Sequence, residues 1–210
     1  MLQGKTLNDI VLDYPGYALL NLQKLHHWEQ YCQRKRKRDS LTDKIPVFDN
    51  RDFSNATGAI CRWLNRNIRR PRKFKQPQLW IWSEEPNKGK TTLIRQLDKI
   101  LSIHYLMKDE PFDDMYEDGT YDLIVIDEFE GQRKLGWMNE MLQGGTMPLR
   151  HKGAQYLKRD NLPVLIASNL TPSTCYKNCT TNRLSTLSSR LIVIEVVQFI
   201  RITVHKWMDP

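Results

Sequence analysis

The chain has 210 residues, of which 40% are hydrophobic and 27% charged, and its formal net charge is +8. A chain of this length buries roughly 70% of its unfolded surface, and this apolar content excludes an intrinsically disordered protein. The positive charge attracts polyanions, because a lysine or arginine that neutralises a phosphate releases a condensed counterion, so nucleic acid is the expected partner.

The first 76 residues are predicted to form a small basic helical segment. Apolar residues recur at helical spacing over residues 17–32 and again over residues 60–68, which predicts two helices. The polar stretch 39–50 lacks periodicity and is predicted to be a loop. Between them, the five basic residues 34–38 are interpreted as a nuclear import signal, a phosphate contact or a solvated helix end.

From residue 77 onward, short apolar runs alternate with helical or polar segments, the order expected for a sheet with crossover helices. Most of these runs lack strict alternation, as in strands that are covered on both faces. The predicted fold class is therefore α/β with a parallel central sheet over residues 77–210. The predicted elements are strands at 79–82, 123–126, 164–167 and 191–197 and a helix at 91–103.

A P-loop is predicted at the turn between the first of these strands and the following helix. Backbone N–H groups there would point at nucleotide phosphates, Lys90 would add a positive charge, and the Thr91 hydroxyl is a ligand for Mg²⁺. Ser83 or Glu84 stands where the pattern has its first glycine. ATP and Mg²⁺ are the predicted cofactors, and the predicted binding residues are Pro86, Asn87, Lys88, Gly89, Lys90, Thr91 and Thr92.

Two further apolar strands end in polar side chains. Asp127 and Glu128 follow the strand at 123–126, so Asp127 is suited to hold Mg²⁺ and Glu128 to orient and deprotonate the attacking water. Asn169 follows the strand at 164–167, where its amide is suited to bind the γ-phosphate or that water. Lys90, Asp127, Glu128 and Asn169 are therefore the predicted catalytic set, although solvated acids and asparagines also end many ordinary strands.

The segment 144–153 is predicted to be a hairpin, because glycines flank a basic tip. Compact cations on an exposed turn are suited to hold a phosphate backbone without reading bases. The predicted DNA-binding residues are Arg150, His151 and Lys152, and the alternative is a solvated basic loop.

These elements, in this order, resemble the superfamily 3 helicase region of replication initiator (Rep) proteins from circular single-stranded DNA viruses and related plasmids. The resemblance covers residue 80 to about residue 196, including Trp80-Ile81-Trp82 before the P-loop. The matching segments are Gly89-Lys90-Thr91 with motif A, Ile126-Asp127-Glu128 with motif B, residues 148–153 with motif B′, and Ala167-Ser168-Asn169 with motif C.

The resemblance implies an AAA+ type domain that forms a ring, expected to be a hexamer, with ATP between subunits and single-stranded DNA at its centre. It also implies ATP-dependent unwinding with 3′ to 5′ polarity in rolling-circle replication. Arg190 best matches the arginine that a neighbouring subunit would supply to the transferring phosphate, and Arg183 is second. Residues 1–76 would then take the place of the family's oligomerisation segment.

One departure concerns the nicking domain with which Rep proteins usually start. The adjacent histidines 26–27 lie in a predicted amphipathic helix, and Tyr31 lacks the associated strand motifs, so a helicase-only chain or a truncated product is expected. The competing hypotheses are a superfamily 3 RNA helicase of a positive-strand RNA virus and an ATP-binding ring-assembly module that does not unwind. The altered start of the P-loop supports the second.

The four cysteines are too few and too scattered for a disulfide framework or a zinc site, so no metal other than Mg²⁺ is expected. The sequence has no apolar run of about 20 residues, so no membrane association is expected. The expected location is the nucleus of a eukaryotic host or, otherwise, the cytoplasm.

Overall fold

The structure is a computed structural model that describes residues 7–49, 55–106, 116–151, 154–200 and 202–209. The chain divides into two compact units between Thr42 and Asp43. Among the described helices, none is both long and apolar enough to cross a membrane.

The first unit is a pair of helices, α1 (Leu7–Asp13) and α2 (Pro15–Ser40). The helix predicted at 17–32 is confirmed as part of α2. Among the described residues of this pair, Ile10, Ala18 and Leu25 form the buried cluster, and most other apolar side chains are exposed. This unit therefore has little core of its own.

The second unit contains the remaining helices and strands. In chain order they are β1 (Ile45–Phe48), α3 (Asn55–Asn67), β2 (Gln78–Trp82), α4 (Lys90–Asp98), β3 (Ile103–Tyr105), β4 (Leu123–Ile126), α5 (Leu135–Leu142), β5 (Met147–His151), β6 (Ala154–Lys158), β7 (Val164–Ser168), α6 (Pro172–Cys175), α7 (Thr181–Ser188), β8 (Leu191–Glu195) and β9 (Val204–Met208).

Five strands form a parallel sheet in the order β3-β4-β7-β2-β8, so the predicted α/β class with a parallel central sheet is confirmed. Side chains of β2 alternate between its faces. Leu79 and Ile81 pack with residues of α3 and α4, whereas Trp80 packs with residues of α5 and α7. The sheet is thus covered on both sides. Two antiparallel pairs, β1-β9 and β5-β6, complete the unit, and the second is the predicted hairpin.

The predicted domain boundary after residue 76 differs from the structure, which places β1 and α3 in the second unit. The reason is that α3 is amphipathic and buries Ile60 and Leu64 in the core cluster that also holds Leu93 and Leu97 of α4. The predicted helix around residues 60–68 is confirmed. Its apolar face needs the sheet, so it cannot belong to a separate helical segment.

Three other expectations need correction. The predicted loop at 39–50 contains β1, which pairs with β9 from the far end of the chain. The helix predicted to reach residue 103 ends at Asp98, and β3 follows it. The strand predicted at 191–197 ends at Glu195, and it lies at the sheet edge with Ile192 and Val193 exposed, so it is not covered on both faces.

Candidate functional site

Three strands of the sheet end side by side at its carboxyl-terminal edge. Trp82 of β2 pairs with Ser168 of β7, and Ile126 of β4 pairs with Ile166 of β7, so the residues that follow these strands converge. They border a cavity of about 250 Å³. Its lining comprises Pro86, Asn87, Lys88, Gly89, Lys90, Thr91, Thr92, Asp127, Glu128, Ala167, Ser168, Asn169 and Phe199. Every residue predicted to bind the nucleotide is therefore in one place.

Gly89 shapes the turn from β2 into α4. Its φ of 87° is in the left-handed region that favours glycine, and it stands as the N-cap of α4. A Cβ at this position would lie 3.2 Å from the Ile200 backbone nitrogen and 3.2 Å from Cε2 of Phe199. The Ile200 N–H also donates to the Lys88 carbonyl at 3.1 Å. The segment after β8 therefore holds the P-loop from outside, and a side chain at Gly89 would push it away.

The Lys90 ammonium connects the P-loop with the ends of two strands. It donates to Oδ1 of Asn169 at 2.9 Å and to the Ser83 hydroxyl. Burial lowers the pKa of Lys90, and the nearby Asp127 carboxylate opposes that effect. Lys90 and Asn169 are far apart in the chain but meet at the cavity. A phosphate oxygen bound there could accept the Lys90 hydrogen bond in place of the Asn169 amide oxygen.

The two carboxylates after β4 differ in environment. Asp127 is partly buried, accepts the Glu128 N–H at 3.0 Å and is hydrogen-bonded to the Thr91 side chain. Burial is the largest effect on the pKa of Asp127 and raises it; the Glu128 charge raises it further, and the two hydrogen bonds lower it. Glu128 is exposed. Its φ of 51° is in the left-handed region, which is uncommon for residues other than glycine and asparagine.

The chemistry of the Thr91 and Asp127 oxygens fits Mg²⁺. This ion prefers hard oxygen ligands and is held by one or two carboxylates together with substrate phosphates. A threonine hydroxyl and a carboxylate that are hydrogen-bonded to each other are such a pair. Thr91 and Asp127 are therefore the residues that would hold the ion.

Ser168 fixes the loop after β4 against β7. Its buried hydroxyl donates to the Phe129 carbonyl at 2.6 Å and accepts the Leu170 N–H at 2.8 Å. The Phe129 N–H in turn donates to the Ala167 carbonyl at 2.9 Å. These bonds hold the backbone of Phe129, directly after the two carboxylates, which helps to keep Glu128 in its uncommon conformation.

The predicted trans arginines lie outside the cavity. Arg190 precedes β8 at the opposite, amino-terminal edge of the sheet, where it is partly buried and donates to the Asn139 carbonyl. Burial lowers the pKa of Arg190. Arg183 is exposed on α7. Neither arginine is among the residues that line the cavity, and the role of either in a neighbouring subunit stays a prediction.

The predicted DNA-binding residues lie on the β5-β6 hairpin. Arg150 is exposed and pairs with Gln155 across the hairpin. His151 ends β5, and only its backbone is described, while Lys152 lies outside the described residues. Their role in binding DNA stays a prediction.

Sequence reasoning missed two residues of the site. Ser83 is one of the two residues that could stand at the position of the absent glycine; it is buried, accepts from Lys90 and donates to the Glu85 carbonyl at 2.7 Å. Phe199 contributes a ring that is 52% exposed although it lines the cavity. The missing glycine was a signal for Ser83, whereas nothing in the sequence links Phe199 to a P-loop over a hundred residues earlier.

Comparison with solved structures finds similar chains, three of which are described below. No family profile and no curated protein matches this chain. A candidate primosome component from Streptococcus pyogenes serotype M3 aligns at 12% identity and a TM-score of 0.36, over 61% of this chain and 73% of that one. The JCV helicase with a bound N-phenylacetamide compound aligns at 15% identity and a TM-score of 0.38, over 58% of this chain and 36% of that one.

The third similar structure is NtrX from Brucella abortus in complex with ADP. It aligns at 10% identity and a TM-score of 0.41, over 85% of this chain and 44% of that one. All three TM-scores are below 0.5, so these similarities carry no argument about function. The resemblance to Rep proteins thus stays a prediction, and the fold class rests on the strand order and the P-loop.

Proposed function

We propose that this chain is an ATP-dependent DNA helicase of superfamily 3 that moves 3′ to 5′ on single-stranded DNA during rolling-circle replication. One observation carries the hydrolytic part of the proposal. The Lys90 ammonium donates to Oδ1 of Asn169 at 2.9 Å while Thr91 is hydrogen-bonded to Asp127, so the P-loop meets the ends of β4 and β7 at one cavity.

Binding of the nucleotide uses the N-terminal end of α4. The first N–H groups of a helix have no partner within the helix, and their dipoles favour an anion. The Lys90 ammonium adds a full charge to this end, and Ser83 and Asn169 hold it there. The ATP phosphates are the ligand with the matching charge.

Hydrolysis is assigned to the carboxylates after β4. Mg²⁺, held by Thr91 and Asp127, would neutralise charge on the phosphates. Glu128 extends from the cavity rim and is positioned to orient a water molecule and accept its proton. Asn169 beside Lys90 is suited to bind the γ-phosphate, so the two carboxylates and the amide have separate tasks.

The nucleic-acid part of the proposal rests on charge. The chain carries a net charge of +8, and Arg150 is exposed on the β5-β6 hairpin. The proposed assembly is a hexameric ring in which Arg190 or Arg183 of a neighbouring subunit approaches the nucleotide. Such an arginine stabilises charge on the transferring phosphate.

The test is displacement of a labelled strand from duplexes that carry a 3′ or a 5′ single-stranded tail, with DNA and RNA compared. ATP-dependent displacement from the 3′-tailed DNA, lost in Glu128→Gln, is the expected result. Activity on RNA alone would replace this proposal with the RNA helicase. ATP-dependent ring formation without displacement of any strand would replace it with the assembly module.

A further inference from the structure

A basic loop with an exposed aromatic ring lies at the amino-terminal edge of the sheet, between α3 and β2. We call residues 70–76 the amino-edge loop. Phe74 in this loop is 59% exposed. Between residues 53 and 83 the sequence has no acidic residue, while it has seven basic ones: Arg62, Arg66, Arg69, Arg70, Arg72, Lys73 and Lys75. The loop therefore combines an exposed aromatic ring with a basic sequence.

The amino-edge loop is fixed by hydrogen bonds to its neighbours. The Lys75 N–H donates to the Gln143 carbonyl at 2.8 Å, and Asn161 Nδ2 donates to the Lys73 carbonyl at 3.0 Å. The Phe74 ring lies against Gly145, where a Cβ would be 3.3 Å from Cε2 of the ring. The ring is therefore held in an exposed position, so a ligand that binds it has little conformational entropy to remove.

The cations of the loop serve two purposes. Arg72 is partly buried and donates to the Gln76 carbonyl at 3.1 Å and to Oε1 of Gln78 at 2.9 Å, so it holds the loop on β2. Lys73 and Lys75 are exposed, and the Lys75 ammonium lies 5.2 Å from the centre of the Phe74 ring. The loop thus presents an exposed aromatic ring with one flexible cation over it and a second cation next to it in the chain.

The position of the loop separates it from the nucleotide cavity. Gln143 and Asn161 flank the β5-β6 hairpin in the chain, so their bonds place the amino-edge loop at the base of this hairpin. Because the sheet is parallel, this edge is opposite the one that carries the P-loop. The ligand of the loop is therefore not the nucleotide of the cavity.

We propose that the amino-edge loop is a binding site for single-stranded nucleic acid, in which a base stacks on Phe74 while Lys73 and Lys75 contact phosphates. Aromatic rings beside cations bind single strands without reading sequence, because every base has a stacking face. This proposal rests on the nucleic-acid substrate of the proposed function. It adds the place on the molecule at which a strand is bound.

The test is fluorescence anisotropy of labelled oligothymidine, titrated with the full chain in the absence of nucleotide. Phe74→Ala is expected to weaken binding by about 5- to 150-fold, whereas Phe74→Trp keeps it within a few-fold of wild type. Lys73→Gln should reduce the slope of log affinity against log salt by about 1, and Lys177→Gln, an exposed lysine after α6, should leave it unchanged.

Two outcomes would overturn the proposal. Wild-type affinity in both Phe74→Ala and Lys73→Gln, with circular dichroism showing native folding, would mean that the strand binds elsewhere. An equal loss on single strands and on blunt duplex in Phe74→Ala would mean that the loop binds phosphates without stacking. If wild-type protein bound no nucleic acid, the proposed function would fail as well, which distinguishes the two failures.

Discussion

The two edges of the parallel sheet are built differently. At the carboxyl-terminal edge, Asn87, Gly89 and Glu128 have left-handed φ values of 61°, 87° and 51°, and polar side chains surround a cavity. At the amino-terminal edge, the buried Gln78 amide donates to the Leu142 carbonyl at 3.2 Å and accepts the Val164 N–H at 2.8 Å. Left-handed backbone also occurs at the second edge, where Arg69 and Lys75 have φ values of 51° and 61°. The first edge arranges its polar side chains around space for a ligand, whereas the second uses them to join elements.

This difference indicates where each function can reside. A concave site lined by a few convergent polar groups suits a small ligand, and the cavity is at the carboxyl-terminal edge. The amino-terminal edge has the rigid hydrogen bonding that suits a platform for a long polymer. We therefore assign phosphate chemistry to the first edge and nucleic-acid contact to the second, and each prediction below tests one edge.

The largest effect is expected at the carboxyl-terminal edge, from Glu128→Gln. Removal of the proposed general base should lower kcat for ATP hydrolysis by about 100- to 10,000-fold, because proton transfer of this kind contributes that much. ATP affinity should stay near the wild-type value. The matched control is Glu130→Gln, an exposed carboxylate two residues away, which should keep its activity. Comparable losses in both variants would refute the role of Glu128.

The substitution Asp122→Asn tests whether a buried ion pair stabilises the amino-terminal edge. Asp122 accepts two hydrogen bonds from Arg69, both at 3.0 Å, and one from the Ser102 N–H at 2.9 Å. The two side chains are only 9% and 6% exposed. The substitution removes the carboxylate charge and leaves the Arg69 charge buried. The free energy of unfolding should therefore fall by about 3–5 kcal/mol.

Urea denaturation measures this loss, and a second ion pair supplies the control. The Lys44–Asp209 pair is 56% and 86% exposed, so Asp209→Asn should change the free energy of unfolding by less than about 1 kcal/mol. If the free energy of unfolding fell by the same small amount in both variants, the buried ion pair would not be a major source of stability at this edge.

Gly89→Ala should give the smallest of these effects. It tests whether the P-loop depends on the close approach of Ile200 to Gly89. The added Cβ meets a left-handed φ and the Ile200 backbone, so ATP binding should weaken and stability should fall by about 1–3 kcal/mol. Gly119→Ala is the control, because Gly119 has a φ of 76° but no atom within 4 Å of an added Cβ. Calorimetric ATP affinity equal to wild type in Gly89→Ala would show that the P-loop tolerates displacement.

Local patterns predicted the elements whose signals lie within one segment. The apolar runs of β2, β4 and β7, the lysine at the start of α4 and the polar residues after each strand are all legible along the chain. Because the strands proved parallel, their ends had to share an edge, and so the cavity followed from the sequence. The hairpin was predictable for the same reason, since its glycines and basic tip are adjacent.

Contacts between distant segments were not predictable. β1 forms because β9 pairs with it, and strand preference depends on such partners more than on the segment itself. Phe199 and Ile200 contact the P-loop because the segment that follows β8 brings them to it. The burial of α3 moved the domain boundary, because an amphipathic pattern shows that a helix has an apolar face but not what covers it.

The most direct test of the central claim is the steady-state rate of ATP hydrolysis with increasing single-stranded DNA, measured for wild type, Lys90→Ala and the control Lys99→Ala. Lys99 is exposed at the end of α4, away from the phosphates. We predict DNA-stimulated hydrolysis in wild type and control and a loss of about 100- to 1,000-fold in Lys90→Ala. Hydrolysis that persists in Lys90→Ala, or that no single strand stimulates in wild type, would contradict it.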